Sequence, residues 1–150
     1  MIIRLLLAGL MGGIIGLERE SHGRPAGLRT HIIVSLGSCL IMLVSIYGFE
    51  DAGNRDPARL AAQVISGIGF LGAGTILREG ATIIGLTTAA SLWVVAGIGL
   101  AMGGGFYLGG VATTILAVCT LAFLDKIENK WPSTEGIIVE GIVEDKPGQL

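Results

Sequence analysis

The sequence predicts an all-α membrane protein, a compact bundle of about five transmembrane helices followed by a truncated strand-like cytoplasmic tail. Composition is the first reason: 51% of the 150 residues are hydrophobic and only 15% are charged, against about 25% charged in soluble domains. The mean hydropathy of +0.75 agrees with this. The second reason is the arrangement of apolar residues in five long runs. The third is a set of 25 glycines, which suits close helix packing in lipid.

The five apolar runs are long enough to cross a bilayer as helices. They cover residues 1–17, 32–49, 60–77, 86–102 and 106–124. A helix rises about 1.5 Å per residue, so each run approaches the thickness of the hydrocarbon core. Only the first run contains a charge, Arg4 near its start, and an arginine there can reach the interface. Because lipid cannot satisfy backbone hydrogen bonds, uninterrupted runs of this kind indicate helices.

The distribution of basic residues predicts the orientation of the bundle. With five spans, one side of the membrane receives Arg19, Arg24, Arg29, Arg78, Lys126, Lys130 and Lys146, and the other receives Arg4, Arg55 and Arg59. Basic residues are enriched on the cytoplasmic side of membrane proteins. The sequence therefore predicts a multi-pass protein with its N-terminus outside and its C-terminus in the cytoplasm.

The ionisable groups of the first loop lie in one stretch, GLERESHGRPAGLRTH, at residues 16–31. We expect a polar cluster on the cytoplasmic side, formed by Glu18, Arg19, Glu20, Arg24, Arg29 and His31, with Arg78 and Glu79 beside it. Arg24 and Arg29 are expected to make electrostatic contacts or ion pairs. Glu18 and Glu20 are the expected counter-charges across the helical hairpin, since paired charges at the lipid boundary cost less than lone ones.

Three roles remain open for this cluster. It could be a structural network that anchors the ends of the hairpin, a binding site for a partner protein, an anionic lipid or a ligand, or a proton or ion pathway. A pathway needs ionisable groups at several depths. The apolar runs instead offer uncharged polar residues, chiefly Gln63, Ser66, Thr75, Ser91, Thr113 and Thr114.

The outer side and the helix interiors contribute two further sets of residues. Asp56, Arg59 and Gln63 form an outer polar set, in which Asp56 precedes Pro57 and suits a helix N-cap. The candidate packing glycines are Gly9, Gly12, Gly13 and Gly16 in the first run and Gly67, Gly69, Gly72 and Gly74 in the third. Small residues let helix backbones approach closely, so these faces predict a homodimer.

No motif in the sequence predicts an enzyme, a bound metal or a cofactor. HExxH, GxSxG and P-loop patterns are absent from it, and the glycine-rich GIGFLGAG lies inside an apolar run without a preceding strand. Cys39 and Cys119 lie in apolar runs, where thiols behave as small hydrophobes. The net charge of −2 gives no support to a nucleic-acid partner.

The composition changes near residue 126. We expect a transmembrane domain at 1–126, a linker at 127–136 and the start of a cytoplasmic domain at 137–150. The segment GIIVEGIVEDKPGQL has the β-branched residues of a strand followed by a turn. A lone strand is unstable without partners, so we expect this domain to be truncated.

Four blocks of the sequence resemble one known family. GLERE, RPAGLRTH, DPARLAAQVISGIGFLGAGTIL and GLTTAASLWVVAGIGLAMGGGFY occur in order over residues 16–107. They are similar to the signature blocks of the MgtC/SapB family of bacterial inner-membrane proteins, which includes the YhiD branch. The blocks together cover most of the membrane region.

The resemblance implies a bacterial inner-membrane domain, often followed by a soluble domain with an ACT-like fold. VEDKPGQL is similar to the opening strand and turn of such domains. The resemblance also implies regulation in stress adaptation: survival at low magnesium, in acid and inside macrophages, hence virulence. It implies contact with a membrane partner such as the ATP synthase. The alternative is a small transporter or channel for Mg²⁺ or protons.

Overall fold

The computed structural model describes residues 1–49, 56–80 and 82–128, and it is mainly helical. The elements in chain order are α1 (Ile2–Ser21), α2 (Leu28–Tyr47), α3 (Ala58–Ala73), β1 (Leu77–Glu79), β2 (Thr82–Ile84), α4 (Leu86–Gly104) and α5 (Tyr107–Glu128). Pro25 and Pro57 lie just before α2 and α3, where a missing backbone N–H costs little. The predicted helical class is confirmed.

The connection between α3 and α4 differs from the all-helical prediction. Strands β1 and β2 pair antiparallel, with Leu77 opposite Ile84 and Glu79 opposite Thr82. Gly80 has a φ of +62° in the intervening turn, a conformation that glycine adopts without steric cost. Each strand has three residues, too few to give an alternating pattern that sequence reading could detect.

The core of the bundle lies between α1, α2 and α4. Its buried apolar side chains are Ala8, Met11, Ile15, Cys39, Leu43, Val95, Ile98 and Met102. Helix α5 packs against this core through Ala117, Val118 and Leu121. Helix α3 contacts α2 and α4 at the edge of the bundle. Helix α2 makes the most extensive contacts with both α1 and α4.

Glycines on both neighbours of α2 allow its close approach. An added Cβ on Gly12 would lie 2.7 Å from the His31 carbonyl oxygen, and one on Gly16 would lie 2.7 Å from the Leu28 Cα. On the other side, an added Cβ on Gly103 would lie 2.7 Å from the Cys39 carbonyl oxygen. Such distances are too short for any side chain against a backbone. The glycines therefore set the spacing of α1 and α4 from α2.

The other predicted packing glycines have looser surroundings. Added Cβ atoms on Gly9, Gly13 and Gly72 would make ordinary contacts with Leu36, Ile32 and Ala89, each at 3.4–3.5 Å. Gly74 is the residue that ends α3. Gly67 and Gly69 have open space where a Cβ would lie. Within the described chain, close packing thus uses the glycines of α1 and α4 and leaves two glycines of α3 on the surface.

Large apolar side chains cover the outside of every helix. Leu6, Ile33, Phe70, Trp93 and Leu108, one from each helix, are all more than half exposed, and Phe70 reaches 84%. By length and composition, two of the described helices, Leu28–Tyr47 and Leu86–Gly104, are able to cross a membrane, and Ala58–Ala73 and Tyr107–Phe123 are shorter apolar helices. Soluble monomers rarely expose apolar surface on this scale.

Two sequence predictions fall partly or wholly beyond the described residues. Helix α5 continues to Glu128, so it includes the first two residues of the predicted linker. The rest of that linker and the predicted strand-like tail, residues 129–150, lie outside the described part of the chain.

Candidate functional site

The chemistry-bearing residues gather where α1 ends and where α2 and α4 begin, and we call this region the polar end. A Schellman turn closes α1: the Gly23 N–H donates to the Glu20 carbonyl at 3.0 Å and the Arg24 N–H donates to the Arg19 carbonyl at 3.1 Å. Gly23 has a φ of +63°, as this turn requires. The turn fixes where Arg24 leaves the helix and directs the chain back into α2.

Glu18 and Arg19 form an ion pair at the end of α1. The guanidinium donates from both Nε and a terminal nitrogen to the two Glu18 carboxylate oxygens, the latter at 2.8 Å. The Arg19 side chain is fully buried and the Glu18 side chain is 9% exposed. Paired donors on a planar guanidinium match a carboxylate well, and a buried charge needs such a partner. This pair is therefore part of the internal framework.

Glu20 caps the next helix. Its Oε2 accepts a hydrogen bond from the Leu28 N–H, the first residue of α2, at 2.8 Å. Gly27 makes room, because an added Cβ there would lie 2.8 Å from the same oxygen. The first N–H groups of a helix lack partners inside it, and a carboxylate there is favoured by the helix dipole. Glu20 thus joins the two arms of the hairpin.

His31 links α2 to α4 inside the protein. The fully buried ring donates from Nδ1 to the Gly27 carbonyl at 2.9 Å, and its Nε2 lies 3.0 Å from the Ser91 hydroxyl. That hydroxyl also lies 2.8 Å from the Thr88 carbonyl. Sequence reasoning had no signal for Ser91 as this partner, because 60 residues separate the two.

The remaining charges of the predicted cluster are at the surface. Arg24, Arg29 and Arg78 are exposed. Among the described residues, no ion pair joins Arg29 to a carboxylate. Arg78 donates locally to the Gly80 carbonyl at 3.1 Å. Glu79 lies in β1, and its side chain is outside the described set. Among the described contacts, Glu18 pairs with Arg19 and Glu20 accepts from the Leu28 N–H, and the expected pairing of Arg24 and Arg29 with these carboxylates stays a prediction.

The predicted outer set is dispersed around the start of α3. Asp56 Oδ1 accepts from the Ala58 N–H at 2.9 Å, a local turn that starts the helix. Arg59 and Gln63 are exposed. Gln63 lines an apolar groove of about 670 Å³ between α2 and α3, and the Ser45 hydroxyl of α2 donates to the Pro57 carbonyl at 2.7 Å.

Arg4 connects several helices at the opposite end from Glu20. It donates to the Tyr107 hydroxyl at 3.0 Å and to the Gly103 carbonyl at 2.7 Å. Its guanidinium also lies 5.9 Å from the centre of the Tyr47 ring, within the range of a cation–π contact. Sequence reasoning placed Arg4 at the interface and could not find these partners, since they come from the ends of three other helices.

A comparison with known protein families shows to which family this chain belongs. The MgtC family matches residues 5–130 of the chain. The chain belongs to the MgtC family. The resemblance noted in the sequence is thereby confirmed, and the match covers α2 to α5 and all of α1 except its first three residues.

Curated MgtC-family relatives agree with this assignment. YhiD of Escherichia coli (strain K12), whose name describes a proposed magnesium transporter, is 48% identical over 125 residues, covering 80% of this chain and 58% of YhiD. SapB of Bacillus subtilis (strain 168) is 44% identical over 135 residues, covering 86% and 58%. MgtC of Salmonella typhimurium (strain LT2) is 48% identical over 118 residues, covering 79% and 49%.

The chain spans about half the length of the curated MgtC-family relatives it matches. No solved structure matches it. MgtC-family membership, together with the two apolar helices α2 and α4, indicates a membrane protein. Within the part of this MgtC-family chain that is described, no three His, Cys, Asp or Glu side chains cluster as metal ligands would.

Proposed function

We propose that this chain is a non-enzymatic, multi-pass protein of the bacterial inner membrane that regulates a membrane partner during stress adaptation. The observation that carries this proposal is the division of charges at the polar end. Arg19 is buried and paired with Glu18 at the end of α1, and buried His31 links α2 to α4, while Arg24 and Arg29 are exposed. Exposed arginines on a rigid support suit electrostatic contact with another protein.

The proposed orientation places the polar end in the cytoplasm, because most basic residues flank that end of the helices. The stress conditions are low magnesium, acid and residence in macrophages, as the family resemblance implies. The ATP synthase is the first partner to test. A homodimer is also proposed, and the open glycines Gly67 and Gly69 of α3 are the surface that we assign to it.

The test reverses one charge at each end of the bundle. Arg29→Glu reverses an exposed charge at the polar end, and Arg59→Glu is the matched control near the start of α3. We expect Arg29→Glu to lose co-purification with the ATP synthase and to relieve inhibition of ATP-driven proton pumping in inverted membrane vesicles. Arg59→Glu should keep both. If the two variants bind and inhibit alike, contact through the polar end is wrong.

A second candidate function is a small transporter or channel for Mg²⁺ or protons. The name of YhiD, which describes a proposed magnesium transporter, favours it. Between the two ends, the described hydroxyls already have carbonyl partners: Ser35 of α2 donates to the Ala8 carbonyl of α1, and Thr114 donates to the Gly110 carbonyl within α5. The regulator therefore predicts no flux in sealed liposomes. Mg²⁺ or proton flux that Arg29→Glu abolishes would favour transport instead.

A further inference from the structure

A small cavity at the polar end has a lining that suits an anion. It has a volume of about 280 Å³ and lies between the α1–α2 turn, the β-hairpin and the start of α4. Its lining residues are His22, Gly23, Arg24, Pro25, Thr75, Leu77, Ile84, Gly85, Thr87 and Thr88. Two of them have basic side chains and none has a carboxylate. A cation would find no charged ligand among these residues, whereas an anion would find the Arg24 guanidinium.

The start of α4 adds backbone donors to the same cavity. Gly85 precedes the helix with a φ of +89°, and no side chain caps it there. The first described helical bond at this end is from the Ala89 N–H to the Gly85 carbonyl, so the N–H groups of residues 86–88 precede the regular ladder. Such a helix start favours oxyanions through its N–H groups and its dipole. The corresponding start of α2 is already occupied by the Glu20 carboxylate.

Thr88 supplies an independent observation that points to a ligand. The residue is only 2% exposed and lines the cavity. Its hydroxyl has no hydrogen-bond partner within the described chain, although Thr75, Ser91 and Thr114 each donate to a carbonyl. The oxygen is also not among the described side-chain atoms that are fully buried without a partner, and the residue lines the cavity. Buried hydroxyls nearly always have a partner, and a bound oxyanion would provide one.

We propose that this cavity binds a phosphate-type oxyanion, held by Arg24, the Thr88 hydroxyl and the N-terminal N–H groups of α4. Its volume lies just below the range of roughly 300–1,000 Å³ for small-molecule pockets, which fits a single phosphate group. That chemistry has two sources, a free phosphate ion or the headgroup of an anionic phospholipid. The proposal goes beyond the proposed function, since it requires neither a protein partner nor a particular orientation in the membrane.

The test uses the whole chain purified in a phosphate-free maltoside detergent. One arm titrates inorganic phosphate by calorimetry against chloride at equal ionic strength. The other arm compares the thermal transition in micelles with and without phosphatidylglycerol. A saturable response in the first arm assigns the site to free phosphate, and a response confined to the second assigns it to a lipid headgroup.

Matched variants locate the response in the cavity. Thr88→Val and Arg24→Gln should each weaken binding by about tenfold or more, since hydrogen bonds to charged groups are the strong ones. Arg59→Gln, near the start of α3, should bind as the parent does. In the absence of ligand, Thr88→Val should not lower the midpoint temperature of thermal unfolding, because the Thr88 hydroxyl has no partner to lose among the described residues. No response in either arm, or one that Thr88→Val preserves, would overturn the proposal.

Discussion

Glu20, Gly27 and Leu28 show how individual residues set the geometry of the polar end. The Glu20 carboxylate binds the Leu28 N–H, and the missing side chain of Gly27 gives that carboxylate its space. The Gly27 carbonyl in turn accepts from the His31 ring. A residue of α1 therefore completes the start of α2, and the same turn orients the ring that reaches α4. The three residues act together because each one satisfies a polar group that another leaves open.

We predict that Glu20→Ala lowers the free energy of unfolding by about 1 kcal/mol, the usual cost of losing a cap. Glu20→Gln should lose less, because its amide oxygen can still accept from the Leu28 N–H while its charge is gone. Denaturant titration of the protein in mixed micelles measures both. Equal losses for the two variants would mean that charge, and not the hydrogen bond, holds the hairpin.

At the scale of helices, glycine positions decide which pairs approach closely. Gly12 and Gly16 admit the backbone of α2 to α1, and Gly103 admits it to α4. In lipid the hydrophobic effect does not drive helices together, so their association depends on close van der Waals packing. Buried His31 then crosses between α2 and α4 with its bond to Ser91. Helix α2 is therefore the central helix, against which α1 and α4 pack.

We predict opposite outcomes for one substitution at two glycines. Gly12→Ala should lower the free energy of unfolding by about 1–3 kcal/mol, as overpacking does, because the new Cβ would meet the His31 carbonyl at 2.7 Å. Gly97→Ala, in α4 at a position where an added Cβ would meet open space, should leave it unchanged or raise it by up to about 1 kcal/mol through helix propensity. The same micelle titration compares them, and similar losses at both sites would contradict the assigned packing.

Across the whole molecule, two polar ends flank an apolar middle. Helix α2 has 20 residues and spans about 30 Å, close to the hydrocarbon thickness. Arg4, Tyr47 and Tyr107 meet at one end, and tyrosines are common at membrane interfaces. The arginines of the first loop lie at the other end. This distribution supports the proposed orientation, with the polar end in the cytoplasm.

Reporter fusions test that orientation. A green fluorescent protein fused after Arg24 should fluoresce, because that loop is proposed to be cytoplasmic, where this reporter folds. An alkaline phosphatase fused after Pro57, on the proposed outer side, should be active because it needs an oxidising compartment. Exchanging the two reporters at the same positions is the control and should give no signal from either. The reverse pattern would show that the bundle is inserted the other way round.

Much of the fold follows from local features of the sequence. The apolar runs, the prolines before α2 and α3, and the loops rich in charge predict the helices and the residues that flank them, because hydrophobicity and helix breaking act over neighbouring positions. The family blocks fix the affiliation in the same way. The β-hairpin escapes such reasoning, since its strands of three residues are too short for a periodic signal.

The sequence by itself determined that this chain is helical, apolar in its middle and charged in its loops, because each of those properties belongs to a segment and to the solvent that surrounds it. Only the tertiary structure decided that Glu20 binds a backbone N–H, that His31 meets Ser91 and that Arg4 reaches Gly103. Those partners depend on how each helix is rotated and how closely it packs, and residues far apart along the chain set both.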